Sequence, residues 1–337
     1  MSTPPNSATG DGTAHVDTFA RARLPRPEQM PELLFELPEL QFGPRLNCAS
    51  ELLDRWVAQG QGGRPCVIGP HQRWSYAELQ AEANRIAHVL VEDMGLVPGN
   101  RVLLRGGNSP MLAACWFAVV KAGGIAVGTM PLLRARELAA IVDKAQVTHA
   151  LCDARLADEL GQARRQCPSL VQVCHFAVDG GGELAALAAG KPATFTNVDT
   201  AADDICLIAF TSGTTGVPKG VMMTYGRVLP QVQVWIGNTG LSEGERYLIA
   251  NPFFHSFGMK VGWVACLIAG AVMVPMPQFD VPQAIRHISQ DGINFMPGPP
   301  TIFQMLLSEK EKSGFDSSSL RGGTTGAATV PPSLIDR

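Results

Sequence analysis

The sequence predicts an α/β protein made of two alternating βα subdomains whose sheets are flanked by helices. Three observations predict it. Short apolar runs such as "RVLLR" at 101–105 and "ICLIAF" at 205–210 alternate with longer stretches whose apolar residues recur at helical spacing. The alternation comes in two series, separated by the weakly patterned stretch 178–203. The composition is globular, with 337 residues, 46% hydrophobic and 17% charged. Such a length suits two units of about 150 residues each and can bury a core without disulfides.

The elements follow in order. The start, "MSTPPNSATGDGTAH", is polar, lacks the apolar stretch of a secretory signal and is expected to be disordered. Residues 1–44 are thus assigned to a disordered tail and lead-in, 45–200 to the first subdomain and 201–337 to the second. In "WSYAELQAEANRIAHVL", Ser75 and Glu78 form a capping box, and Leu79, Ala83, Ile86 and Leu90 share one helical face. After the strand at 101–105, Ser109-Pro110 opens a helix that runs to Lys121 and stops at Gly123-Gly124. "IAVGTM" and "THALCD" read as strands, each followed by a helix, 134–145 and 154–165. The second series has strands at 205–210, 220–224, 246–250 and 293–296, and helices at 226–238, 281–290 and 300–312. The apolar run "VGWVACLIAGAVMVPMP" at 261–277 approaches the length of a membrane span. Gly270 in its middle and two prolines near its end favour a buried helix that stops at Gly270, then a buried strand.

Charge and cysteine usage exclude several classes. Lys plus Arg total 27 against 30 Asp plus Glu, so there is no basic field for nucleic acid. The eight cysteines form no C-x-x-C pair and no zinc-spaced cluster with histidine, and read as reduced residues of a cytoplasmic protein.

"FTSGTTGVPKG", Phe210 to Gly220, stands apart. It holds three threonines, a serine, three glycines and a lysine in eleven residues. An exposed turn would use the same residue types. A phosphate cradle accounts for more of them: glycines let backbone N–H groups face an anion, hydroxyls add donors and Lys219 adds charge. It is not a Walker loop, because Pro218 precedes Lys219, Gly220 follows it, and the next segment is strand-like rather than helical.

This loop resembles the phosphate loop of the adenylate-forming superfamily: acyl- and aryl-CoA synthetases, peptide-synthetase adenylation domains and luciferases. "VKAGGIAVGTMPLLRARELAAIVDKAQ", "NPFFHSFGM" and "GGTTGAA" are similar to further segments of that family, in the same order. The lead-in "LPELQFGPRLNCASELLDR" and "TMPLLRARELA" look most like benzoate-type ligases, 2-aminobenzoate–CoA ligases in particular. The resemblance implies the large N-terminal domain of the adenylate-forming fold. It also implies ATP-dependent activation of a carboxylic acid, aromatic or aliphatic, to acyl-AMP and then acyl-CoA. ATP and CoA are the implied co-substrates, with Mg²⁺.

By the same resemblance, Thr211, Ser212, Gly213, Thr214, Thr215, Gly216 and Lys219 hold the ATP phosphates, with Thr211 assigned to Mg²⁺. Gly326, Ala327 and Ala328 contact adenine. Phe254, His255, Ser256, Phe257 and Pro299 form the acid pocket, and His255 and Lys219 are the catalytic candidates. A lone histidine between aromatics is as readily structural, and the phenylalanines as readily core. No nucleic acid and no membrane span are expected, and a homodimer is left open. The family's later motifs lie past Arg337, so the chain reads as a truncated large domain, inactive alone. Two other readings stay open: a non-catalytic nucleotide- or acyl-binding module, and an adenylation domain of another carrier system. Against an amino-acid substrate, "FFHSFG" lacks the aspartate that would pair with an α-amine.

Overall fold

The computed structural model describes residues 12–211, 218–326 and 328–335. Within them lie two mixed six-stranded sheets, mostly parallel and flanked by helices. The strands are β1 (Pro65–Ile68), β2 (Arg73–Ser75), β3 (Arg101–Arg105), β4 (Ile125–Thr129), β5 (His149–Asp153), β6 (Gln172–Phe176), β7 (Ile205–Thr211), β8 (Lys219–Thr224), β9 (Arg246–Ile249), β10 (Val272–Pro275), β11 (Phe295–Gly298) and β12 (Gly322–Thr325). The first sheet has the order β6-β5-β3-β4-β7-β8 and the second β12-β11-β9-β10-β1-β2. β8 and β2 are antiparallel edges.

The sheets do not follow the expected division at residue 200. β7 and β8 belong to the first sheet and β1 and β2 to the second, so each half of the chain gives strands to both. The core is shared for the same reason. Its largest cluster joins Tyr76, Leu79 and Trp116 to Tyr247, Trp263 and Met273. At its centre, α3 (Pro110–Lys121) is buried along its whole length, Lys121 included. A helix that is apolar all round has no solvent face, so it must lie between layers. Lys121 tolerates this site because its Nζ lies 2.6 Å from Asp54 Oδ1, and Asn197 binds the same carboxylate.

Local chemistry forms the helices as expected. Ser75 and Glu78 cap α2 (Tyr76–His88) reciprocally. Ser109 caps α3, with Pro110 in its first turn. Gly270 ends the helix Ala265–Ala269 in the left-handed conformation, and β10 follows. The expected connection 178–203 holds the helix Gly182–Ala188, and β1, β2 and β6 also exceed the sequence expectation.

The lead-in departs from expectation too. Residues 12–24 are docked, not free. Asp17 accepts hydrogen bonds from Phe19 N, Asn100 Nδ2 and Arg101 Nη1, the last at 2.5 Å. Buried Asp204 accepts from Thr13 Oγ1 and from the amides of Ala14 and Ala201. Polar composition predicts disorder when nothing offers partners, and here two buried polar sites do.

Candidate active site

In open parallel sheets, ligands bind outside the carboxyl ends of strands, where the strand order reverses. The first sheet reverses between β3 and β4, and the second between β9 and β10. The segment leaving β9, residues 250–258, lies against both points. Asn108, just past β3, is 3% exposed. Its Nδ2 donates to Asn251 O at 2.9 Å and to Ile249 O at 3.3 Å, and its Oδ1 accepts from Phe253 N at 2.7 Å. At the end of β4, a Cβ on Gly128 would stand 3.1 Å from Phe254 Cα, so only a small residue admits the segment. Gly258 is tighter, because a Cβ there would lie 2.1 Å from Pro252 O.

Side chains of this segment then divide. Phe253, Phe254 and Ser256 line an apolar cavity with Leu104, Trp116 and Trp263. Its volume is about 20 Å³, room for one water and not for an acid. Thus Phe254, expected in the acid pocket, borders a small space at the β3–β4 switch point. His255, Ser256 and Phe257 face instead a groove of about 400 Å³, whose other wall is α7 (Tyr225–Thr239), with Gln231, Val232 and Trp235. Lys260 and Val261 complete it. They belong to a wide π-helical turn, Met259–Val264, of a kind enriched at functional sites.

His255 is exposed and caps the short helix Ser256–Gly258, its Nδ1 accepting from Phe257 N at 3.1 Å. An accepting Nδ1 places the neutral ring's proton on Nε2. Lys260 Nζ donates to Gln231 Oε1 at 2.7 Å, and burial pushes its pKa down.

Thr211 and Lys219 are exposed and face each other across the β7–β8 ladder, so they fix both ends of the loop between them. Ser212, Gly213, Thr214, Thr215 and Gly216 lie outside the described residues, as does Ala327. Ala209, two residues before Thr211, is in register with Gly128, which touches Phe254. The hairpin ends and the groove therefore share one rim of the first sheet, with roughly 7 Å of strand between Ala209 and Thr211. Gly326 follows β12 with open space around its α-carbon, and Ala328 lies in a bend. Pro299 caps α11 (Pro300–Ser313) and lines neither the cavity nor the groove.

Sequence reasoning passed over Asn108, Gln231 and Lys260. It also missed three polar atoms near the carboxyl ends of β9 and β12: Asn251 Oδ1, Thr324 Oγ1 and Thr325 Oγ1, all buried without a partner among the described residues. Such orphaned groups fit a site completed by a ligand. A lysine inside the apolar run "GMKVGWVACLIA" was the available signal for Lys260. A Mg²⁺ site does not assemble in the same way. No group of three His, Cys, Asp or Glu converges among the described residues, and one threonine hydroxyl is not a metal site.

The family profile described as AMP-binding enzyme matches residues 53–337. The chain belongs to this family. An AMP-binding relative from Mycobacterium tuberculosis, 3-[(3aS,4S,7aS)-7a-methyl-1,5-dioxo-octahydro-1H-inden-4-yl]propanoyl:CoA ligase, is 36% identical over 87% of this chain and 59% of its own length. The chain thus spans about three fifths of that relative. An anthranilate CoA ligase solved in complex with anthranoyl-AMP has the same fold, with a TM-score of 0.81 at 23% identity over 87% of this chain and 56% of that one. The inhibitor-bound N-terminal domain of FACL13 from M. tuberculosis superposes with a TM-score of 0.79 at 25% identity, over 86% of this chain and 72% of that one. The fold is therefore that of the N-terminal domain of adenylate-forming enzymes. Among the described residues, no helix is long and apolar enough to cross a membrane.

Proposed function

We propose that this chain is the large domain of an acid–thiol ligase. In the first step a carboxylate oxygen attacks the α-phosphorus of ATP, and the bond to pyrophosphate breaks. In the second the CoA thiolate attacks the acyl carbonyl, the C–O bond to AMP breaks, and a thioester forms. Two anions must meet in the first step, so positive groups and N–H donors have to offset the phosphate charge. Lys219 and the loop from Thr211 to Gly216 take that role, with Thr211 nearest the strand. Gly326 to Ala328 lie along adenine. His255 stands at the rim of the acid groove with its Nε2–H free to donate. When bound with ATP, Mg²⁺ would neutralise phosphate charge. The ligase of which this chain is the large domain is a cytoplasmic enzyme.

One observation carries this reading: the ends of the glycine-rich hairpin and the His255–Phe257 groove stand on the same rim of one sheet. The acid is ring-sized, because Trp235, Phe257, Val232 and Val261 wall a groove of about 400 Å³. An aromatic acid of benzoate or 2-aminobenzoate type fits such walls. The M. tuberculosis relative is named for a propanoyl group on a fused ring system, which supports a ring more than aromaticity.

The experiment is a substrate panel of benzoate, 2-aminobenzoate, a saturated ring acid and a long-chain fatty acid, each with ATP and CoA, read as thioester. Calorimetric binding of ATP and of each acid to this chain runs beside it. Clear preference for the fatty acid removes the ring assignment. Failure of ATP to bind removes the ligase reading.

A further inference from the structure

The groove between α7 and residues 255–261 has an uneven lining. Val232, Trp235, Phe257 and Val261 are apolar, and among the described residues no acidic one lines it. Trp235 is a fixed wall, held edge-on by Tyr247 at 6.3 Å and Phe295 at 6.0 Å between ring centroids. Into this setting the sequence places one cation. Lys260 is half-buried, and its one recorded partner among the described residues is the neutral Gln231.

An ammonium has three donors, and Gln231 Oε1 takes one of them. The Gln231 amide adds two more. A half-buried charge without a counter-charge is costly, whereas hydrogen bonds to a charged group are about twice as strong as neutral ones. The groove therefore offers donors and positive potential that no described residue meets in full.

Position adds a second constraint. Ser256 lines both the groove and the small cavity against Gly128, so its end of the groove faces the rim that carries Thr211 and Lys219. Lys260 lies four residues further along the helical turn, roughly 6 Å away. That is about the distance from a carboxyl carbon, across a six-membered ring, to an oxygen on the opposite ring carbon.

We propose that the groove takes a carboxylic acid carrying a second oxygen acceptor, a ketone or a carboxylate, about one ring away from the carboxylate that reacts, and that Lys260 with Gln231 recognises that oxygen. This rests on the groove being the acid site of the ligase reading. It narrows the substrate class from any ring-sized acid to an oxygenated one. A plain hydrocarbon ring would cover the ammonium and give it nothing.

The test uses three acids with one ring: cyclohexanecarboxylic acid, 4-oxocyclohexanecarboxylic acid and cyclohexane-1,4-dicarboxylic acid. Their dissociation constants are measured by calorimetry on this chain, on Lys260→Met, on Lys260→Arg and on Gln231→Leu, with a thermal melt of each. In the parent, at least one oxygenated acid binds tenfold or more tighter than the plain acid. Preference for the ketone alone identifies a neutral acceptor, and for the dicarboxylate alone an anion. Lys260→Met brings the ratio to about one, Lys260→Arg keeps most of it, and Gln231→Leu lowers it by a smaller factor. Gln231 is exposed, so its variant tests the pair even if Lys260→Met fails to fold. A ratio that stays within twofold of the parent in the folded lysine and glutamine variants overturns the inference and leaves the ligase reading standing. Failure of all three acids to bind removes the groove as an acid site, and this inference with it.

Discussion

Replacing Asn108 with alanine should loosen the joint between the two sheets. Its side chain makes three hydrogen bonds to backbone atoms at the end of β9. Ile249 O keeps a partner after the change, because Met276 N also donates to it. Asn251 O and Phe253 N lose the side-chain partner that ties them to the first sheet. A buried group left unsatisfied costs about 1–3 kcal/mol, so two cost roughly 2–6 kcal/mol. A neighbouring cavity of about 60 Å³, lined partly by Asn108 itself, can admit water and brings the expectation to the lower half of that range. At about 2–4 °C per kcal/mol, the melting temperature falls by roughly 4–16 °C. Urea titration should show the same loss with an unchanged slope. Asn108→Asp adds a sign. Its carboxylate would face two carbonyl oxygens, which raises its pKa in the folded state above the unfolded value. The deficit of this variant against the parent then grows as pH rises through the folded pKa. It shrinks at lower pH, where a protonated carboxyl can donate to Asn251 O. A melt of Asn108→Ala within 1 °C of the parent would show that the joint does not depend on these bonds.

Gly258→Ala must push a methyl to 2.1 Å from Pro252 O and should abolish soluble folding, whereas Gly161→Ala, a helical position with nothing within 4 Å, should stabilise by about 0.5–1 kcal/mol; paired melts decide. Lys219 is exposed, so Lys219→Ala should change stability by less than about 0.5 kcal/mol yet weaken ATP binding; a large melting loss with normal ATP binding makes the residue structural. Docking of residues 12–24 should weaken in acid in two windows. Burial, outweighing nearby Asp204, depresses the His15 pKa, so stability present above 6.5 is lost as pH falls through that value to the folded pKa. Burial would raise Asp17, but the Phe19 N–H and Arg101 outweigh it and hold its carboxyl below 3.8, so a second loss begins as pH falls below that value. Amide exchange of residues 13–24, corrected for intrinsic rate, should rise between pH 7.5 and 5.5 in the parent and stay flat in His15→Phe.

What the sequence made legible was local. The Ser75–Glu78 cap, the Ser109-Pro110 helix start and the Gly270 stop each depend on neighbours within a few residues, and all formed where expected. β1 was illegible because "PCVI" is short, and its pairing partner β10 lies some two hundred residues away. The docked lead-in escaped notice because it is held by Asp17, Arg101 and Asp204, and no periodicity announces such bonds. The strands on either side of the glycine-rich segment, β7 and β8, were legible from their residue pattern. The groove was not, since Gln231, Trp235 and Lys260 become neighbours only once α7 crosses the turn after β9.

The placement of residues 250–258 explains why the site draws on both sheets. A parallel sheet ordered like the first would leave a crevice open between the ends of β3 and β4. Here the chain fills it with its own Phe253 and Phe254, which pack on Trp263 and Gly128 and leave about 20 Å³. Filling the crevice moves the open surface outward, to the groove against α7 and to the hairpin ends on β7 and β8. It also ties the two together, because the residue that follows the plug is His255 and the strand beside Gly128 is β7. Glycine at 128 and 258 lets the plug lie that close, and Asn108 holds it from the other side. Any change that withdraws the plug therefore disturbs the groove and the rim at once, even when it touches neither.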